Sequence, residues 1–66
     1  MIKLIRINNT HFVLNADLIE MIEETPDTVI TLLNGHKMIV SNTADEVIDL
    51  VVAYKQRIYS GISYKE

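Results

Sequence analysis

Apolar residues recur along this chain with two different periods, and the change falls at Ser41-Asn42-Thr43. Before that point short runs of β-branched and apolar residues are separated by turn chemistry, the signature of hairpins. Strands are predicted at residues 2–7, 11–14, 18–24, 28–33 and 36–41. Asn8-Asn9, with or without Thr10, turns the first strand into the second, in which Phe12 and Leu14 share a face. Asn15-Ala16-Asp17 makes a tight connection with room for one helical turn, because Asn and Asp side chains satisfy neighbouring amides there.

Proline at Pro26 pre-sets φ for the second position of a type I turn, and Asp27 can bond back to the main chain. Asn34-Gly35 readily takes φ > 0, so a two-residue type I′ hairpin is expected. That loop sets Leu33 opposite His36, Leu32 opposite Lys37, Thr31 opposite Met38, Ile30 opposite Ile39 and Val29 opposite Val40. One face of the hairpin then carries Ile30, Leu32 and Ile39, and the other carries Val29, Leu33, Met38 and Val40. Both faces are partly apolar, so something should pack on each.

After Ser41-Asn42-Thr43 the spacing becomes helical. Thr43 and Glu46 fit the capping box, Asp45 and Glu46 suit the positive end of the helix dipole, and Ser60-Gly61 is the expected stop after a helix reaching about residue 59. At 100° per residue the apolar positions form two stripes. Val47, Leu50, Val51, Tyr54 and Ile58 make a broad one; Ile48, Val52 and Tyr59 make a second, roughly 110° away, with Lys55 between them. Either the sheet wraps both, or one stripe meets the sheet and the other meets another molecule.

The reading is an α+β domain over residues 1–61: an antiparallel β-sheet of about five short strands with one C-terminal helix packed on it, then a tail at 62–66. Ile30, Leu32, Ile39, Val47, Val51, Tyr54 and Ile58 are expected in its core. At 66 residues the chain is near the lower limit for a single hydrophobic core, and it has no cysteine to staple it. Apolar surface exceeding so small an interior predicts a homo-oligomer, most simply a symmetric dimer, joined through the second helical stripe or the outer sheet face.

Charge and side-chain chemistry narrow the function classes. Net charge is −3 with six scattered Lys and Arg, which opposes any affinity built on neutralising phosphates, and no nucleic acid is expected as a partner. His11 and His36 sit beside turns without metal-ligand spacing, so neither metal nor cofactor is expected. Two isolated glycines cannot build a phosphate-cradling loop. Glu20, Glu23, Glu24 and Asp27 gather near the third strand, but no base or metal ligand converges on them, and charge on an exposed strand commonly blocks edge-to-edge aggregation. Enzyme activity is not expected, and no catalytic residue is assigned. No apolar run approaches the roughly 20 residues of a membrane span, and the first residues lack a signal-peptide pattern, so a soluble cytoplasmic protein is expected.

Asn15-Ala16-Asp17-Leu18-Ile19-Glu20, the block 23–35, Glu46-Val47 and Tyr54-Lys55 resemble the FlbD/SwrD family of small bacterial flagellar and swarming-motility proteins. The likeness runs from residue 1 to about residue 55. The family usually has glycine where this chain has Asn9, which tolerates φ > 0, and proline where it has Ala16. The resemblance brings no catalytic residues. It implies an accessory protein acting by protein–protein contact, supporting the stator of the flagellar motor from its cytoplasmic face without membrane insertion. Its partner would be a component of the motor or of its assembly machinery. Glu23, Glu24, Pro26 and Asp27 at a hairpin tip, and Ile48, Val52 and Tyr59 on the helix, are the candidate partner-binding residues. The alternative is a small RNA-binding regulator of motility, since the carbon-storage regulators are similarly short and order their strands and helix alike. That family reads RNA with arginines at the first strand and beside the helix, whereas this chain has only Arg6 near the first of those sites.

Overall fold

The computed structural model describes residues 1–64, with side chains described for residues 1–58. Five strands and one helix follow one another as β1 (Ile2–Ile5), β2 (His11–Leu14), a single 3-10 turn (Ala16–Leu18), β3 (Ile19–Glu24), β4 (Thr28–Leu32), β5 (Lys37–Val40) and α1 (Ala44–Tyr64). The α+β class and the five antiparallel strands are as expected, but the expected single sheet is divided in two. β1 pairs with β2, and β3, β4 and β5 form a second sheet in that order.

The two sheets touch at one seam. Arg6 bridges Val40 in antiparallel sense, and the Ser41 N–H donates to the Ile5 carbonyl at 2.8 Å. The Asn42 side-chain oxygen accepts from the Ile5 N–H at 2.9 Å. Ser41 was expected to end the fifth strand and, with Asn42, to introduce the helix; both also join the helix approach to the first hairpin. β1 stops at Ile5 because the chain is already turning. The Arg6 N–H donates to Thr10, the Asn9 N–H donates to Arg6, and Asn9 takes φ 70°, a conformation its short polar side chain tolerates.

The β4–β5 hairpin differs from expectation by one residue. Thr28 faces Val40, Val29 faces Ile39, Ile30 faces Met38 and Thr31 faces Lys37. The loop is three residues long, Leu33-Asn34-Gly35: the Gly35 N–H donates to Leu32 at 2.9 Å and the Leu32 N–H to His36 at 2.8 Å. Gly35 has φ 90°, the left-handed third loop residue that follows a type I turn and forms the bulge. Asn34 fixes this geometry by accepting from the His36 N–H at 3.0 Å. The slip exchanges faces. Thr28, Ile30, Leu32, Met38 and Val40 now look inward, and Ile39, expected in the core, is 45% exposed on the outer face beside Val29.

At the other end of β4 the Thr25–Pro26 peptide is cis, and Thr25-Pro26-Asp27 connects the strands instead of the expected type I turn. In β3 the register shifts between Ile19 and Met21, so Glu20 is the extra residue of a bulge. The bulge brings Ile19 and Ile22, three positions apart, onto the same inward face.

The core is assembled from Ile2 and Leu4 of β1, Leu14 of β2, Ala16, Ile30, Val40 and Val47 of the helix, with Phe12, Ile19, Ile22, Leu32, Met38, Leu50, Val51 and Tyr54 packed around it. Of the expected core, Ile30 and Val47 are fully buried and Leu32, Val51 and Tyr54 half-buried. Ile58, also expected in the core, is exposed at 38%. The capping box forms as expected, with Thr43 N–H donating to the Glu46 carboxylate at 2.8 Å and Glu46 N–H donating to the Thr43 hydroxyl at 3.1 Å. The helix does not stop at Ser60-Gly61 but runs through it to Tyr64, taking in part of the expected tail; residues 65–66 lie outside the described residues. One glycine costs a helix only about 1 kcal/mol relative to alanine, too little by itself to end it.

Candidate functional site

The bulge in β3 and the second stripe of α1 face each other across a groove. Ala16 and Asp17 of the 3-10 turn, Ile19 and Ile22 of β3, and Ile48, Val51, Val52 and Lys55 of α1 line it, enclosing about 310 Å³. The strand and the helix run alongside one another in opposite senses, and a polar tether closes each end. At one end the Glu24 carboxylate accepts from the Ala44 N–H at 2.9 Å, occupying one of the unpaired donors at the helix start. At the other the Lys55 ammonium meets the Asp17 carboxylate at 3.0 Å. Asp17 is held in place because the turn that carries it is capped by Asn15, whose side chain accepts from the Asp17 N–H at 3.1 Å.

Between the tethers the walls are aliphatic. Ile48 is 46% and Val52 47% exposed, side chains whose full burial is worth roughly 1.5–3 kcal/mol each. The two charged groups at the groove neutralise each other, so its chemistry is the reception of aliphatic side chains. A second hollow, of about 370 Å³, lies among Met1, Ile2, Lys3, Leu50, Ala53, Tyr54 and Arg57, and the Lys3 and Arg57 side chains border it.

The candidate residues named from sequence separate into three groups. Ile48 and Val52 are brought together on the groove. Glu23, Pro26 and Asp27 are exposed at the β3–β4 tip, away from it, and Glu24 is committed to the helix N-terminus instead of the acidic rim. The side chain of Tyr59 lies outside the described residues. Sequence reasoning missed Ala16, Asp17, Ile19, Ile22 and Lys55 as groove residues. Apolar Ile19 and Ile22 at a three-residue spacing inside a strand were the available signal, because a regular strand would put them on opposite faces. Arg6, the residue behind the RNA-binding alternative, lies with its guanidinium 4.2 Å from the centre of the Phe12 ring.

Among the described residues no helix is long and apolar enough to cross a membrane. A family model described as flagellar and swarming motility proteins, FlbD, matches residues 1–59 of the 66. No curated protein and no solved structure matches the chain.

Proposed function

The chain belongs to the FlbD family of flagellar and swarming motility proteins, and from that premise we propose that it serves motility by docking to other protein, without chemistry of its own. In this reading it acts at the cytoplasmic side of the flagellar motor and supports the output of the stator. The groove carries the proposal. It is an aliphatic slot whose two charged groups are already paired, on a domain of 66 residues that has little interior to spare. Apolar clefts of this kind take side chains from a partner in many protein interfaces.

The test replaces Ile48→Asp and Val52→Asp together in the chromosomal copy. Swarming should fall to the level of a deletion strain, with growth normal and the variant present in cells at the ordinary level. Flagella should be normal in number but weaker in viscous medium if the stator is the beneficiary. Normal swarming by the groove variant would end the docking proposal, and a deletion strain that swarmed normally but failed on one nutrient would end the motility role.

A further inference from the structure

Positions 45, 48, 52 and 55 share one face of α1, because they recur at spacings of three and four. They read Asp45, Ile48, Val52, Lys55: acidic, apolar, apolar, basic. Such a row is complementary to its own reverse. Two copies laid antiparallel about a two-fold axis level with Leu50 set Ile48 beside the partner's Val52 and Asp45 beside the partner's Lys55, and the symmetry repeats both contacts. A parallel arrangement would instead set Asp45 on the partner's Asp45 and Lys55 on the partner's Lys55.

We infer that the occupant of the groove is a second copy of this chain, in a two-fold dimer whose α1 helices pack antiparallel through Ile48 and Val52. The inference rests on the docking reading and names its partner. Helices pack at about 8–10 Å between axes, close enough for the partner's Ile48 and Val52 to enter the slot between Ile19, Ile22 and Val51. The partner's Asp45 then approaches the Lys55–Asp17 pair from the far side of the ammonium, as a second opposite charge near the same cation. Each end of the joint then carries an acid–base–acid row, and the centre is aliphatic. A net charge of −3 on each copy opposes association at long range, so it is this local alternation of sign that fixes partner and direction.

The full-length chain should sediment as a reversible monomer–dimer system, the monomer being 7.5 kDa. Asp45→Lys and Lys55→Asp should each raise the concentration needed for dimer by at least about tenfold, because each sets like charges at both ends of the joint. An equimolar mixture of the two variants should restore it, since the Asp45→Lys site of one copy then meets the Lys55→Asp site of the other at one end and the native pair meets at the other. Far-UV circular dichroism keeps the comparison to folded protein. A second measurement uses the absence of cysteine from the chain. Copper-phenanthroline oxidation of mixed Ile48→Cys and Val52→Cys proteins should yield the mixed disulfide in excess over either homodimer.

A monomer up to high micromolar concentration would overturn the inference, as would a dimer that neither charge variant weakens or a preference for homodimeric disulfides. The docking reading fails separately. If the chain is monomeric yet the Ile48→Asp, Val52→Asp pair still abolishes swarming, the groove serves a different protein and only the dimer is lost. If that variant swarms normally, the docking role is lost whatever the sedimentation shows.

Discussion

Val47 and Ile48 are neighbours on one helix, similar in size and chemistry, and one is 0% exposed while the other is 46% exposed. The difference is a matter of what the strands can reach. Val47, with half-buried Leu50, Val51 and Tyr54, packs against a core drawn from both sheets. Ile48 and Val52 look past β3, where the bulge holds Ile19 and Ile22 away from them across the groove. Five short strands cover about one helical stripe. The apolar residues of α1 therefore divide between folding and contact, although their composition alone does not separate them.

The largest effect is expected from a carboxylate on the folding side. Val47→Asp buries a charge without a partner in a domain whose total stability is of order 3–10 kcal/mol at this length, and about 3–5 kcal/mol of that should be lost. Urea titration followed by circular dichroism would measure it. The same change at half-buried Val51 should cost less, since that side chain already borders the groove. A Val47→Asp domain as stable as the parent would mean that Val47 does not belong to the folding side.

Much of this division was legible in the sequence, because helical periodicity separates the stripes and Thr43 with Glu46 fixes where the helix begins. The sheet was less legible. Asn34-Gly35 suits a two-residue loop and a three-residue loop equally well, and the two differ by one step of register. Lys37 held the deciding information: the two-residue loop sets it opposite core-facing Leu32, while the observed one sets it opposite Thr31 on the outer face. The groove was the least legible part. It depends on a bulge at Glu20 and on pairs distant in sequence, Asp17 with Lys55 and Glu24 with Ala44, and no local pattern announces such partners.

A smaller effect is expected at the tether between β3 and the helix start. Glu24→Ala removes the acceptor for the Ala44 N–H, and a single hydrogen bond of this kind contributes about 0.5–1.5 kcal/mol. Glu24→Gln keeps an acceptor and should lose only a fraction of that. Both should stay folded, yet the alanine variant frees one end of the strand–helix spacing that defines the groove. Amide exchange at Ala44 reports it directly. Unchanged protection there in Glu24→Ala would show that the capping box alone holds the helix start and that the groove width is set elsewhere.

The smallest effect on folding belongs to the contact side. Ile48→Asp with Val52→Asp places two carboxylates where the isolated chain leaves about half of each side chain in water, so neither charge is desolvated as one at Val47 would be. The apolar area that Ile48 and Val52 do bury at the groove wall is lost, and Asp49 nearby adds weak like-charge repulsion on the helix. In dilute solution, where association does not contribute to apparent stability, the double variant should lose no more than about 1 kcal/mol. It should keep the urea dependence of the parent, since the same surface is exposed on unfolding. A loss as large as that of Val47→Asp would place the second stripe in the folding core. The groove would then be an interior cleft of the domain, and its exposed isoleucine and valine would no longer mark a surface reserved for another chain.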